Sequence, residues 1–206
     1  MKYFLAILGL VAFMFGVVVL RPRPKIVDNG KGVNIETVVQ LRSSSSTCSG
    51  FIVARGVVAT AGHCIHATDT RQLIVFSDGT SRPYLVFSYT NDGVCVHDWA
   101  LLLVDTGKRG WEDLKYTEPD GPTLYTVGHV GASRNQLAFA GMLLAVDAEN
   151  VYMGSGARHG QSGSPIADHS GRVVAVLVCG DYDAGESIGV RVSEFESTLR
   201  LAVAGQ

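Results

Sequence analysis

Charged residues are scarce in this sequence. Only 17% of its 206 residues are Asp, Glu, Lys or Arg, the formal net charge is −2, and no block of basic residues occurs. This balance argues against nucleic acid as a partner. No Cys/His spacing resembles a zinc site, so neither a metal nor another cofactor is expected. No internal repeat is detectable either, and the length fits one globular domain or one domain built of two similar halves.

Apolar residues and glycine are plentiful. Hydrophobic residues make up 47% of the chain, enough for a sizeable core, and 24 glycines suit many turns. Short β-branched and apolar runs recur between turn residues, while helical periodicity is almost absent. The pattern indicates an all-β barrel or sandwich. The exception is the end of the chain, where Ser193 and Glu196 resemble a capping box, and a terminal helix is predicted over residues 193–204.

The first segment differs from the rest, because residues 4–20 are apolar throughout and carry no charge. Such a run is at the short end of a membrane-spanning helix and just beyond a typical signal-peptide core. No small-residue cleavage site follows it. We therefore predict one hydrophobic helix over residues 1–20 that acts as a transmembrane anchor, with a cleaved signal segment as the alternative. Residues 21–32 are predicted to be a linker.

Three motifs contain the residues that could take part in catalysis. Ser162 lies between glycines in residues 160–165. Glycines let the backbone turn tightly and direct N–H groups outward, and a serine hydroxyl needs a base and oxyanion donors before it can act as a nucleophile. A histidine and an aspartate that could meet this need lie upstream, at His63 and Asp98.

Taken in order, Thr-Ala-x-His-Cys, Asp-x-Ala-Leu-Leu and Gly-x-Ser-Gly-x-Pro resemble the chymotrypsin-like (trypsin-like) serine protease superfamily, in a compact form similar to its bacterial and viral members. The resemblance covers roughly residues 33–206. It implies two six-stranded antiparallel β-barrels, over residues 33–105 and 122–192, followed by the terminal helix. It also implies a serine endopeptidase that hydrolyses peptide bonds in proteins through an acyl-enzyme.

The resemblance carries the catalytic roles over to particular residues. Ser162 would be the nucleophile, His63 the base that takes its proton, and Asp98 the acid that orients the imidazole. The backbone N–H groups of Gly160 and Ser162 would form the oxyanion hole. Gln161 occupies the place where secreted trypsins carry an Asp that pairs with a newly cut amino terminus. We therefore predict no zymogen switch of that type.

The same analogy places a substrate pocket around the nucleophile. Its floor, rim and walls would be formed by Gly156, Ala157, His159, Val178, Cys179, Gly180 and Gly189. No Asp lies at the floor, which disfavours cleavage after Lys or Arg. An open pocket lined by glycines favours an apolar or aromatic P1 residue, the residue immediately before the cleaved bond.

The resemblance also implies a disulfide between Cys48 and Cys64, beside the catalytic histidine, with two reduced buried cysteines as the alternative. Cys95 and Cys179 would flank the substrate cleft. They could form a second disulfide that ties the two halves together, or they could be unpaired packing residues. Three further histidines are predicted to be exposed, namely His66, His129 and His169. A fourth, His97, is predicted to be a surface or structural residue.

The cellular location follows from two opposing signals. A disulfide implies an oxidising compartment, whereas the basic residues after the apolar run would place the rest of the chain in the cytoplasm. We expect a membrane-anchored protease domain that is extracytoplasmic or secreted, with the cytoplasmic face as the alternative. Three other functions stay open: a viral polyprotein-processing protease, a non-catalytic binding module and an esterase. The sequence predicts a protein or peptide substrate and gives no oligomeric state.

Overall fold

A computed structural model describes residues 33–66, 69, 72–93 and 95–206. The predicted anchor over residues 1–20 and the linker over residues 21–32 lie outside these residues. Within the part of the chain that the structure describes, no helix has the length and apolar character that a membrane crossing requires.

The first half of the chain forms one antiparallel sheet in the order β5-β4-β1-β2-β3-β7-β6. The two edge strands, β5 and β6, are consecutive in the chain and only Tyr84 separates them. Counted as one bent strand, they give the six strands that the resemblance implies, and the chain itself joins the two edges of the sheet. Pro83 ends β5, a position suited to a residue with no N–H for a strand ladder. The strands are β1 Val38–Arg42, β2 Thr47–Ala54, β3 Val57–Thr60, β4 Leu73–Val75, β5 Ser81–Pro83, β6 Leu85–Asn91 and β7 Asp98–Leu103.

The second half forms a closed six-stranded barrel in the order β10-β13-β12-β11-β8-β9. All of its strand pairs are antiparallel. This architecture confirms the predicted all-β fold. The strands are β8 Thr123–His129, β9 Gln136–Val146, β10 Asn150–Gly154, β11 Pro165–Ala167, β12 Val173–Asp181 and β13 Glu186–Arg191.

The chain ends in the predicted helix, but the helix begins later than expected. A 3₁₀ turn covers Val192–Phe195, and the helix α1 covers Glu196–Ala204. The predicted capping box is wrong, because no side chain caps either segment. Burial explains the difference: Phe195 is fully buried and its ring lies 5.6 Å from that of Trp99. This packing fixes the turn and sets the helix against the strand that begins at Asp98.

The apolar core has two parts. The larger one fills the first half, reaches Phe195, Leu199 and Ala202 at the end of the chain, and includes second-barrel residues such as Val127 and Val176. The smaller one fills the second barrel around Phe139 and Ile166.

Buried polar contacts hold the connector between the halves in place. Glu112 is 5% exposed and accepts hydrogen bonds from the Asn34 N–H, at 3.1 Å, and from the Thr37 hydroxyl. Lys115 is 8% exposed, and its Nζ lies 3.1 Å from the carboxylate of the fully buried Asp168. These contacts fix the connector to both halves.

A hairpin turn over residues 168–171 joins β11 to β12. The Asp168 carboxylate accepts the N–H of Ser170 at 2.9 Å, and Gly171 has a φ of +86°. Burial alone would raise the pKa of Asp168, but hydrogen bonds from Ser170, the Asp120 N–H and Lys115 outweigh it and lower the pKa to about 2. The carboxylate is therefore charged at neutral pH and pairs with the buried Lys115.

Candidate active site

His63 and Asp98 are in direct contact. His63 lies in a 3₁₀ turn, Gly62–Cys64, that follows β3, and Asp98 is the first residue of β7. The ring Nδ1 of His63 lies 2.5 Å from one carboxylate oxygen of Asp98, and the His63 backbone N–H donates to the other at 2.7 Å. The Asp98 side chain is only 4% exposed, whereas that of His63 is 37% exposed. The buried acid thus fixes the ring and leaves its Nε2 available to a reacting group.

The close approach of these two residues depends on Gly62. A Cβ at this position would lie 1.9 Å from the carbonyl oxygen of Thr90 and 2.9 Å from a carboxylate oxygen of Asp98. The end of β6 therefore packs directly on the turn that carries His63. Any side chain at Gly62 would push the histidine away from its acid.

Ser162 lies in a series of tight turns that glycines make accessible. Gly160 and Gly163 have φ values of +93° and +86°, which favour glycine. A Cβ at Gly163 would lie 2.0 Å from the carbonyl oxygen of Ser49. The Gly163 N–H donates to the carbonyl of Leu177 at 2.6 Å. The loop is thus fixed between the first half and β12.

Three carbonyl groups of this loop accept hydrogen bonds from protein donors. His159 O accepts from the Gly131 N–H at 2.8 Å, Gly160 O from the Ser49 hydroxyl at 2.8 Å, and Ser162 O from the Ser49 N–H at 2.7 Å. The N–H groups of Gly160 and Ser162, by contrast, have no hydrogen-bond acceptor among the described residues. Two adjacent free donors of this kind can receive an oxygen that becomes negatively charged.

Gln161 fixes the loop from inside the barrel. Its side chain is fully buried, its Oε1 accepts the Arg158 N–H at 2.8 Å, and its Nε2 lies 3.5 Å from the Leu137 carbonyl. A neutral amide therefore occupies the place where secreted trypsins carry an acid. The absence of a zymogen switch stays a prediction, because residues 21–32, where such a cut would fall, lie outside the described residues.

The three motif residues line one cleft between the halves. His63, Asp98 and Ser162 share a cavity of about 980 Å³. A groove of about 1070 Å³ elsewhere on the surface contains none of the three. Among the described residues, no hydrogen bond joins the His63 ring to the Ser162 hydroxyl. Such bonds are often long in the absence of substrate and shorten when it binds.

The predicted substrate pocket differs from the expectation. Ala157, His159, Val178, Cys179 and Gly180 do line the cleft. The predicted open pocket is narrow at one place, where its floor and wall touch. A Cβ built at Gly180 would lie 2.5 Å from the Cβ of Ala157, and one at Gly156 would lie 2.4 Å from the Cα of Tyr182. The glycines let the two backbones close on each other instead of leaving space between them.

One predicted wall residue is not in the pocket. Gly189 is buried in β13, where a Cβ would lie 2.5 Å from Ile166 and 3.0 Å from Ala175. Alternation along the strand turns this position toward the barrel interior and away from the cleft.

Two residues that the motifs did not indicate cross the mouth of the pocket. The Arg158 guanidinium lies 4.3 Å from the centre of the Tyr182 ring, and one of its nitrogens donates to the Tyr182 hydroxyl at 2.7 Å. The sequence did carry a signal for their location, because Arg158 adjoins the predicted pocket residue Ala157 and Tyr182 follows closely after the predicted pocket residue Gly180. Nothing in the sequence showed that the two side chains would meet.

Both predicted disulfides are present. Cys48 pairs with Cys64, with their Cα atoms 6.1 Å apart, and Cys95 pairs with Cys179 at 6.0 Å. The second bond joins the loop before Asp98 to the wall strand β12. The sulfurs of Cys48 and Cys64 lie close to His63, but both are used in the disulfide and are therefore not free to bind a metal.

The other histidines have separate places. His169 is exposed, as predicted, and His97 is exposed near Glu149 and Glu194. His66 is half-buried, with Nε2 2.7 Å from the Ser46 hydroxyl, rather than exposed. The prediction for His129 is wrong, because this residue is 5% exposed at the end of β8 and burial lowers its pKa.

Comparisons with known proteins place this geometry in context. A family model described as a trypsin-like peptidase domain matches residues 48–176. No curated protein sequence matches the chain. Among solved structures, a Glu endopeptidase is 20% identical, with 88% of this chain and 99% of that chain covered and a TM-score of 0.69.

Two further structures show the same fold in other settings. A serine protease of a human pathogenic astrovirus is 16% identical, with 78% of this chain and 91% of that chain covered and a TM-score of 0.63. An inactivated protease paralogue of the scabies mite is 15% identical, with 87% of this chain and 100% of that chain covered and a TM-score of 0.69. At such identities the likeness establishes a chymotrypsin-like fold and leaves the chemistry to be argued from the site.

Proposed function

Because the chain belongs to the trypsin-like peptidase family, we propose that it is a serine endopeptidase with a His63, Asp98 and Ser162 triad. The observation that carries the proposal is the double contact between His63 and Asp98 in the cleft that Ser162 also lines. The two free N–H groups beside Ser162 support it, because they supply the donors that acyl transfer requires.

The reaction follows from the chemistry of these groups. The Ser162 hydroxyl attacks the carbonyl carbon of the scissile peptide bond while His63 Nε2 takes its proton. Asp98 accepts the Nδ1–H bond and stabilises the imidazolium. The carbonyl oxygen becomes an oxyanion that accepts hydrogen bonds from the N–H groups of Gly160 and Ser162. His63 then returns the proton to the leaving amine, and the acyl-enzyme remains.

Water completes the cycle. His63 takes a proton from a water molecule, which attacks the acyl carbon, and the Ser162 oxygen leaves with that proton as the carboxylic acid product is released. All of these steps use side chains and backbone groups of this chain. Loss of one oxyanion donor typically lowers turnover by ~10²–10³, so the shape of residues 158–164 matters as much as the triad.

Labelling with a fluorophosphonate tests the nucleophile. We expect the reagent to attach to Ser162, and the label to be lost in Ser162→Ala and strongly reduced in His63→Ala. His97→Ala is the matched control, because this exposed histidine adjoins Asp98 without lining the cleft. Ser162 should still be labelled in this variant. Labelling that survives Ser162→Ala would refute the assignment. Peptide turnover then separates a protease from an esterase.

Fold alone does not decide between catalysis and binding, since an inactivated paralogue in the scabies mite has this fold too. The arrangement of His63 on Asp98 favours catalysis here, because a buried carboxylate that orients a cleft histidine is what proton transfer from a serine requires. A viral polyprotein-processing protease is the alternative role. It shares the same triad chemistry and would differ in its substrate, which would be a junction within its own precursor.

Attachment to a membrane is a further part of the proposal. The apolar run over residues 4–20 supports it. The two disulfides support an extracytoplasmic protease domain, since such bonds persist in oxidising compartments. Alkaline extraction of membranes should leave the full-length chain in the pellet, and thiol alkylation without reductant should leave the four cysteines unmodified. Release into the supernatant would indicate a cleaved signal segment instead.

A further inference from the structure

The wall and the floor of the pocket beside Ser162 are in van der Waals contact along two steps of the chain. A Cβ at Gly180 would meet the Ala157 Cβ at 2.5 Å, so the Gly180 Cα itself already lies against that methyl group. One residue further along on each side, Gly156 lies against the backbone of Asp181 and Tyr182. Between Ala157 and Gly180, and between Gly156 and Tyr182, there is therefore no room for a long P1 side chain.

The Arg158 and Tyr182 side chains hold this contact closed. Arg158 extends from the floor, Tyr182 from the wall, and they combine a cation–π contact at 4.3 Å with a hydrogen bond at 2.7 Å. The Arg158 backbone N–H is itself fixed at 2.8 Å to the buried Gln161 side chain. Separating the floor from the wall requires breaking both side-chain contacts.

The Asp181 carboxylate lines the cleft but is engaged by its own loop. The Asp181 carboxylate accepts the N–H groups of Asp183 and Ala184 at 2.8 and 2.9 Å, which turns it into its own loop. The part of the cleft surface beside Ser162 that Ala157, Val178 and Gly180 form carries no charged side chain.

We infer that this protease cleaves after small residues, namely Gly, Ala or Ser, and that the Arg158–Tyr182 pair enforces the restriction. The inference rests on the proposed function and adds the substrate class to it. The methyl group of a P1 Ala fits on the surface beside Ser162, whereas a larger P1 side chain must push Gly180 away from Ala157. One methylene in such a pocket typically changes kcat/KM by about 10–200-fold, so the discrimination against Phe or Leu is large.

The test compares peptides that differ only at P1 and carry Ala, Leu, Phe, Glu or Arg. The full-length chain should cleave the Ala peptide with a kcat/KM at least ~10-fold above the Phe and Leu peptides. In Tyr182→Ala, kcat/KM for the Phe and Leu peptides should rise by about tenfold, while kcat/KM for the Ala peptide should change little. Tyr182→Phe keeps the ring and should give a smaller rise. Trp111→Ala, which removes another exposed aromatic, should leave the ratios as they are.

Two results would overturn the inference while the proposed function stands. One is cleavage after Phe, Leu, Glu or Arg by the unmodified chain at a rate equal to or above that after Ala. The other is an Ala-to-Phe ratio that Tyr182→Ala leaves unchanged. Preference for Glu would mean instead that Arg158 binds the substrate. Fluorophosphonate labelling in the same samples separates these results from a failure of the proposed function. If neither labelling nor turnover occurs, the proposed function fails and the inference fails with it.

Discussion

Asp98 holds His63 through both of its oxygens, one at 2.5 Å from the ring Nδ1 and the other at 2.7 Å from the backbone N–H. The acid therefore fixes the position of the histidine backbone as well as the orientation of the ring. The two roles of the Asp98 side chain can be separated by an Asn at this position. Its amide oxygen can still accept the His63 backbone N–H, but its NH₂ group cannot accept the ring Nδ1–H.

Asp98→Asn should lower kcat by ~10⁴, because the ring loses the tautomer that leaves Nε2 free to accept a proton. The free energy of unfolding should change far less, since the amide oxygen can keep the backbone contact. Peptide turnover and urea denaturation on the same sample measure the two effects. A kcat within tenfold of the original would contradict the role given to Asp98.

Ser49→Ala should destabilise the protein by about 1–3 kcal/mol, because a buried hydroxyl that serves two partners is lost. The Ser49 hydroxyl donates to Gly160 O and accepts the His129 N–H, both at 2.8 Å. Turnover should also fall, since Gly160 O would be free to rotate and take its neighbouring N–H groups with it. Ser45→Ala, at an exposed position of the loop before β2, is the control and should be neutral. Unchanged kcat in Ser49→Ala would show that the loop does not depend on this contact.

Glu112 makes stability depend on pH. Burial raises its pKa to about 7, against the opposing hydrogen bonds from Thr37 and Asn34. The folded state therefore binds a proton that the unfolded state has already released, and the free energy of unfolding falls as the pH rises from about 4.5 to about 7. Glu112→Gln keeps an acceptor for both partners and removes the charge.

The Gln variant should accordingly gain stability relative to the original chain at pH 8, by ~2–4 kcal/mol, and show little difference at pH 4. Thermal unfolding at both pH values measures this. Glu118→Gln, at a carboxylate that is 68% exposed, is the control. A Gln variant that is less stable at pH 8 would mean that the folded protein favours the charged carboxylate, and that the pKa of Glu112 is not raised.

Some of this molecule could be predicted from sequence and some could not, for physical reasons. The His63, Asp98 and Ser162 motifs are local, and so are the turn residues that separate the strands, which is why the barrels and the cleft were predictable. The closure of the pocket is a different case. Glycines at 156 and 180 show that the backbone is free to approach something, but only the packing of β12 decides whether that is a ligand or another strand.

The same reasoning explains the burial of His129. An isolated histidine at the end of a strand has no pattern around it, and its backbone N–H is held by the Ser49 hydroxyl, which lies far away along the chain. Long-range contacts of this kind also produced the Arg158–Tyr182 pair. Sequence motifs identify residues that act together in a known chemistry, but not pairs that are joined by the particular fold.

The disulfide between Cys95 and Cys179 gives the last prediction, because it joins the loop before Asp98 to the strand that forms the pocket wall. Replacing both cysteines by serine should cost about 2–4 kcal/mol of unfolding free energy, since the bond closes a long loop. Turnover chemistry should survive, because Trp99 and Phe195 pack at 5.6 Å and hold the start of β7. The wall strand, however, loses its tie to the first half, so KM should rise more than kcat falls. Steady-state kinetics and denaturation on the double variant measure these effects, and a kcat that falls with KM unchanged would instead place the main effect of the bond on Asp98.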